Sequence, residues 1–95
     1  MDSKISKEMI EELCEAIVAI DDKDLCLSFF SDLMTATEVE QFAQRLRAAK
    51  LLLEGHTYAQ IIAVTDISSA TLSRVSNCVR RGGGGYKAVI EKTKR

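Results

Sequence analysis

A chain of 95 residues has room for one domain. Apolar residues make up 46% of it and charged residues 28%, a globular balance that excludes a disordered or collagen-like chain. No apolar run approaches the ~18–20 residues that span a bilayer. The start, Met1-Asp2-Ser3-Lys4, leads into a charged segment rather than an apolar signal sequence. So short a chain needs most of its side chains for a core, which weighs against an elaborate enzyme site.

The net charge of −1 conceals an asymmetry. Residues 1–40 carry three basic and eleven acidic side chains, while residues 41–95 carry ten basic and three acidic. A basic half is a signal of polyanion binding, and solvated helix faces account for it equally well. Cys14, Cys26 and Cys78 are dispersed and odd in number, which fits neither a disulfide framework nor a zinc site. They read as buried small hydrophobes in a reducing, cytoplasmic, bacterial-type environment.

Proline is absent, no strand-like alternation occurs, and helical spacing recurs throughout. Ile5, Met9, Ile10, Leu13, Ile17 and Ile20 share one face of a first helix, which Asp21-Asp22 is expected to close. A second segment, 25–34, places Leu25, Phe29, Leu33 and Met34 on one side. The third is the longest. Val39, Phe42, Leu46, Ala49 and Leu53 step by 3, 4, 3 and 4, the spacing of an interhelical seam. Thr37 with Glu40, or Thr35 with Glu38, supplies a capping box at its start, and Gly55 suits its end.

Thr57-Tyr58-Ala59-Gln60 is a further capping box, opening a short helix with Ile61 and Ile62 inside and ending at Thr65-Asp66-Ile67. Ser68 caps the next helix, from Ser69 to about Arg80, with Leu72, Val75 and Val79 at core spacing. Gly82 to Gly85 break it. A last helix over 86–93 packs through Tyr86, Val89 and Ile90, followed by a basic, frayed tail. The sum is an all-α chain of about six helices.

Two short helices joined by a tight turn, over about 57–80, form a helix-turn-helix. Ser69, Ala70, Ser73 and Asn77 fall on the outer face of its second helix, small enough to let that helix lie deep in a major groove. Ser68 and Thr71 stand near its N-terminus, where hydroxyls and free N–H groups hold phosphates. Thr57, Arg80 and Arg81 complete the DNA-facing set. Solvated serines and a dipole-complementing arginine pair are the plainer explanation of the same residues.

Leu33-Met34-Thr35-x-x-Glu38, Arg45-Leu46-Arg47, Leu51-Leu52-Leu53-x-Gly55, the run Ser69-Ala70-Thr71-Leu72-Ser73-Arg74, Asn77, and the glycines into Tyr86 resemble the Trp repressor superfamily, more closely its YerC/YecD-like branch. The resemblance covers nearly the whole chain. It implies an intertwined, all-helical homodimer that presents two reading helices to double-stranded DNA as a transcriptional regulator, most simply a repressor. Departures from the family's pattern are Asp66 at the turn position that favours glycine, Ile62 where alanine is usual, and the apolar Val64 on an outward position.

The resemblance also implies an effector pocket between two arginines, matched by Arg45 and Arg74, with polar partners at Thr35 and Cys78. Val75 stands where a glycine leaves room for an indole ring, and Cys78 replaces a serine. The pocket is therefore read as vestigial, and free L-tryptophan as no effector of this chain. Gly82-Gly83-Gly84-Gly85-Tyr86-Lys87 lacks the features of a phosphate-binding loop. His56 and the acidic groups Glu11-Glu12-Glu15 and Asp21-Asp22-Asp24 lack metal-site spacing. The sequence thus points to no enzyme, no metal, no cofactor and no membrane association. A dimeric helical protein-interaction module is the alternative to a DNA-binding regulator.

Overall fold

The computed structural model describes residues 3–94; Met1, Asp2 and the tail residue Arg95 lie outside the described residues. Among these the chain is all-α, with six helices and two compact units, 1–36 and 37–95.

The first unit holds α1 (Ser3–Ala19) and α2 (Lys23–Leu33). Asp22 does not close α1 but caps α2. Its backbone is extended, and its carboxylate accepts from the backbone N–H of Asp24 at 2.8 Å and of Leu25 at 3.4 Å. Neither helix contains a buried residue, so Ile5, Met9, Ile10, Leu13 and Ile17 line a stripe open to solvent in the single chain. For the same reason Cys14 is exposed and Cys26 only half-buried, against the expectation of buried cysteines; Cys78 is exposed as well.

The second unit contains most of α3 (Ala36–Leu53), then α4 (Tyr58–Thr65), α5 (Ser69–Arg81) and α6 (Gly85–Thr93). Because α3 begins at Ala36, Thr35 rather than Thr37 takes the flanking position, and the earlier of the two boxes is the one in register. Gly55 ends α3 with φ 92°. Its N–H donates to the Leu52 carbonyl at 3.1 Å and the His56 N–H to the Leu51 carbonyl at 3.0 Å, the paired bonds of a Schellman motif.

Ala48, Ala49, Ile61, Ile67, Leu72, Val75 and Ile90 form the core, with Leu51, Leu52, Ile62, Val79 and Tyr86 packed against it. Two expectations change. The seam on α3 contributes only Ala49 to this core, while Phe42, Leu46 and Leu53 stay exposed. The side of α3 that meets the core runs through the adjacent Ala48 and Ala49, with Leu51 and Leu52 packed against it. On α6 the buried residue is Ile90, and Val89 points outward.

Candidate nucleic-acid interface

The helix-turn-helix is fixed by local hydrogen bonds at each joint. Thr57 Oγ1 accepts the Gln60 N–H at 3.2 Å, and Gln60 Oε1 accepts the Thr57 N–H at 2.9 Å, closing the capping box of α4. At the other end Asp66 sits in the left-handed region, φ 61°, with its N–H donating to the Ile62 carbonyl at 3.0 Å. Aspartate occupies the glycine-favouring turn position because it tolerates this conformation better than most residues. The Thr65 hydroxyl donates to the Ile61 carbonyl at 2.6 Å and accepts the Ile67 N–H at 3.3 Å, stitching the turn to α4.

Ser68 then caps α5, accepting the Thr71 N–H at 3.1 Å. Beyond it Ser69, Ala70, Ser73 and Asn77 are all exposed, while Leu72, Val75 and Ser76 face the core. The side chains singled out for base contact therefore share one open face of a helix whose opposite face is locked. Arg74 is exposed on the same helix, and Arg80 and Arg81 occupy its last turn, where they complement the dipole. On α4, Val64 is 72% exposed and nothing in the single chain covers it.

Of the residues matched to an effector pocket, Thr35 belongs to the first unit and the rest to the second. Arg45 is half-buried, with its guanidinium 5.4 Å from the centre of the Phe42 ring and its Nε buried without a hydrogen-bond partner. Val75, only 2% exposed, packs in one cluster with Ala48 and Ala49 of α3. Cys78 opens on a cleft lined by Leu46, Gly82, Tyr86 and Val89, which is apolar rather than polar. No group of His, Cys, Asp or Glu among the described residues is arranged to hold a metal ion, and none of their helices is long and apolar enough to cross a membrane.

One structural residue escapes the sequence reading: Gln44, whose side-chain Nε2 donates to the Thr65 carbonyl at 3.1 Å and ties α3 to the end of α4. A polar residue on a partly polar helix carries no local signal of a partner so far along the chain.

Residues 8–94 match the family model described as Trp repressor protein. The chain belongs to the Trp repressor family. It is 36% identical over 91 residues to the uncharacterized protein YerC of Bacillus subtilis strain 168, covering 96% of this chain and 88% of that one. The structure superposes on a TrpR-like protein from Eubacterium eligens with a TM-score of 0.88 at 36% identity, covering 96% of this chain and 94% of the other. A candidate Trp repressor from Staphylococcus aureus gives a TM-score of 0.87 at 33% identity, with the same coverage of 96% and 94%. Trp repressor family members are regulatory DNA-binding proteins rather than enzymes.

Proposed function

We propose that the protein is a homodimeric, sequence-specific transcriptional repressor that reads a pseudo-palindromic site on double-stranded DNA. The observation that carries this reading is the two-sidedness of α5. Its inner face is fixed by Leu72, Val75 and Ser76, while Ser69, Ala70, Ser73 and Asn77 stand open on the other side. Short side chains let the helix approach base edges and thymine methyls closely. The Thr57 and Thr71 hydroxyls and the free N–H groups at the start of α5 serve phosphates. Arg80 and Arg81 add charge-assisted phosphate contacts in the basic half of the chain.

The second copy is argued from surface. Ile5, Met9, Leu13, Ile17, Phe42, Leu46 and Val89 are all exposed in the single chain, more apolar area than a monomer of this size leaves to water. A two-fold dimer covering them acts as one DNA-binding domain of two chains in the cytoplasm, with its reading helices ~34–36 Å apart. Val64 favours the other reading, a protein-interaction module, since an apolar residue 72% exposed on α4 suits a protein surface.

Selection of bound fragments from a random duplex pool tests the proposal. A dyad-symmetric consensus is expected, with affinity falling steeply as salt rises because counterions are released on binding. Replacing Arg80 and Arg81 with alanine lowers affinity for all sequences alike and flattens the salt slope. Selected sequences without a dyad, or no selection at all, favour the interaction module.

A further inference from the structure

The second unit joins α3 to the helix-turn-helix through two different kinds of contact. Ala48 and Ala49 are fully buried in the cluster with Ile61, Ile67, Leu72 and Val75. Leu51 and Leu52 of α3 pack against the same cluster. Contact of this kind is apolar and non-directional.

The other contact is directional. Gln44 Nε2 donates to the Thr65 carbonyl at 3.1 Å, across a separation of 21 residues. That carbonyl lies in the last turn of α4, where backbone acceptors have no intrahelical donor. Thr65 is also the residue whose hydroxyl bonds both Ile61 and Ile67, so a force on it is passed directly to α4 and to the turn that leads into α5. Gln44 moreover lines two clefts at once. One, of ≈ 440 Å³, opens toward Arg47 and Val64. The other, of ≈ 250 Å³, opens toward Asp66 and Thr71. The bond spans a gap that is open on both sides.

We propose that Gln44 is a positioning residue for DNA recognition, a strut that sets the tilt of α4, the turn and α5 against α3. Ser69, Ala70 and Ser73 meet a groove at an angle that this bond fixes, without Gln44 touching DNA. The inference rests on the DNA-binding reading above, so its test has one arm that uses no DNA.

Gln44→Met keeps the length and volume of the side chain and removes the donor. In the free protein, residual dipolar couplings of the α4 and α5 amides are expected to depart from the wild-type α3 frame while remaining self-consistent, with the melting temperature close to wild type. In the DNA arm, a loss of about threefold at each of two reading helices lowers the ratio of specific to non-specific affinity about tenfold. The salt slope stays unchanged, because no phosphate contact is lost. Couplings that match wild type overturn the proposal. So does a variant that fails to fold, since the bond is then a stability contact and not a positioning one. Wild-type protein that selects no DNA overturns the DNA-binding reading alone, and the couplings still decide for or against the strut.

Discussion

Ser68 and Thr71 close on each other: the Ser68 hydroxyl accepts the Thr71 N–H at 3.1 Å and donates its own proton to Thr71 Oγ1 at 2.8 Å. Both hydrogen-bonding roles of Ser68 are thereby used inside the protein, and the proton left to serve a phosphate is that of Thr71. Ser68→Ala is expected to cost ~1 kcal/mol of stability in urea melts, the usual loss on removing a serine cap. Thr71→Val keeps the shape and removes the hydroxyl. It should weaken binding to every DNA sequence alike, whereas a change in the selected bases would place Thr71 on a base edge instead.

The turn makes a second prediction. Asp66 holds φ 61°, a conformation in which a Cβ is crowded by the backbone and glycine is not. Asp66→Gly relieves that crowding at some entropic cost and should stabilise the protein by about 0.5 kcal/mol. Asp66→Ala keeps the Cβ and loses the polar side chain that tolerates this region, for a loss of about 1 kcal/mol. Chemical denaturation of the three proteins checks the order Gly, Asp, Ala.

These joints are the part of the fold that can be read from residue types alone. The Thr57–Gln60 box, the Ser68 cap, the Gly55 terminus and the left-handed Asp66 each depend on groups within about five positions of one another, so local chemistry determines them. What depends on helices meeting was read less well. The periodic seam pointed to Phe42 and Leu46, yet the core takes Ala48, a residue too small to stand out in a hydrophobic pattern. Asp22 looked like the end of one helix and is the beginning of the next, because a carboxylate terminates nothing but accepts from the N–H groups that follow it. At the candidate interface, the open face of α5 followed from spacing, while the Gln44–Thr65 bond did not, since it joins residues 21 apart.

Gly82 and Gly83 are adjacent but respond differently to a side chain. A Cβ on Gly82 would collide with the backbone carbonyl oxygen of Cys78, which already accepts the Gly82 N–H at 2.9 Å. A Cβ on Gly83 meets nothing within 4 Å. Gly82→Ala should therefore unwind the end of α5 and destabilise by ~1–3 kcal/mol, in the range of backbone strain. Gly83→Ala should be neutral or slightly stabilising. Equal melting of the two variants would show that the close approach at Gly82 is not maintained in solution.

The proposed dimer is tested at Leu46, which is 39% exposed in the single chain and lines an apolar cleft with Tyr86 and Val89. Leu46→Glu buries an unpaired carboxylate if a second copy covers this face, and should yield monomeric, unfolded or aggregated protein in analytical ultracentrifugation. A soluble, fully helical protein of unchanged mass would mean that the second copy binds elsewhere or that none binds.

Free L-tryptophan is expected to leave this protein unaffected. The likeness to the Trp repressor family places an indole between Arg45 and Arg74, which requires a flat gap between α3 and α5. Val75 is only 2% exposed and belongs to one buried cluster with Ala48 and Ala49 of α3. Arg45 already lies 5.4 Å from the Phe42 ring centre, so one face of its guanidinium is taken up by that ring. At the ligand's polar end, Cys78 opens on an apolar cleft and supplies only a weak thiol donor. Lost fit together with an unpaired polar group amounts to several kcal/mol, on the order of a hundredfold or more in affinity. The chain contains no tryptophan, so indole emission in a titration belongs to the added ligand. Its spectrum and anisotropy should stay constant as protein is added at micromolar concentrations. A saturable rise in anisotropy, accompanied by tighter DNA binding, would make Arg45 and Arg74 ligand residues and require α5 to move away from α3 at Val75.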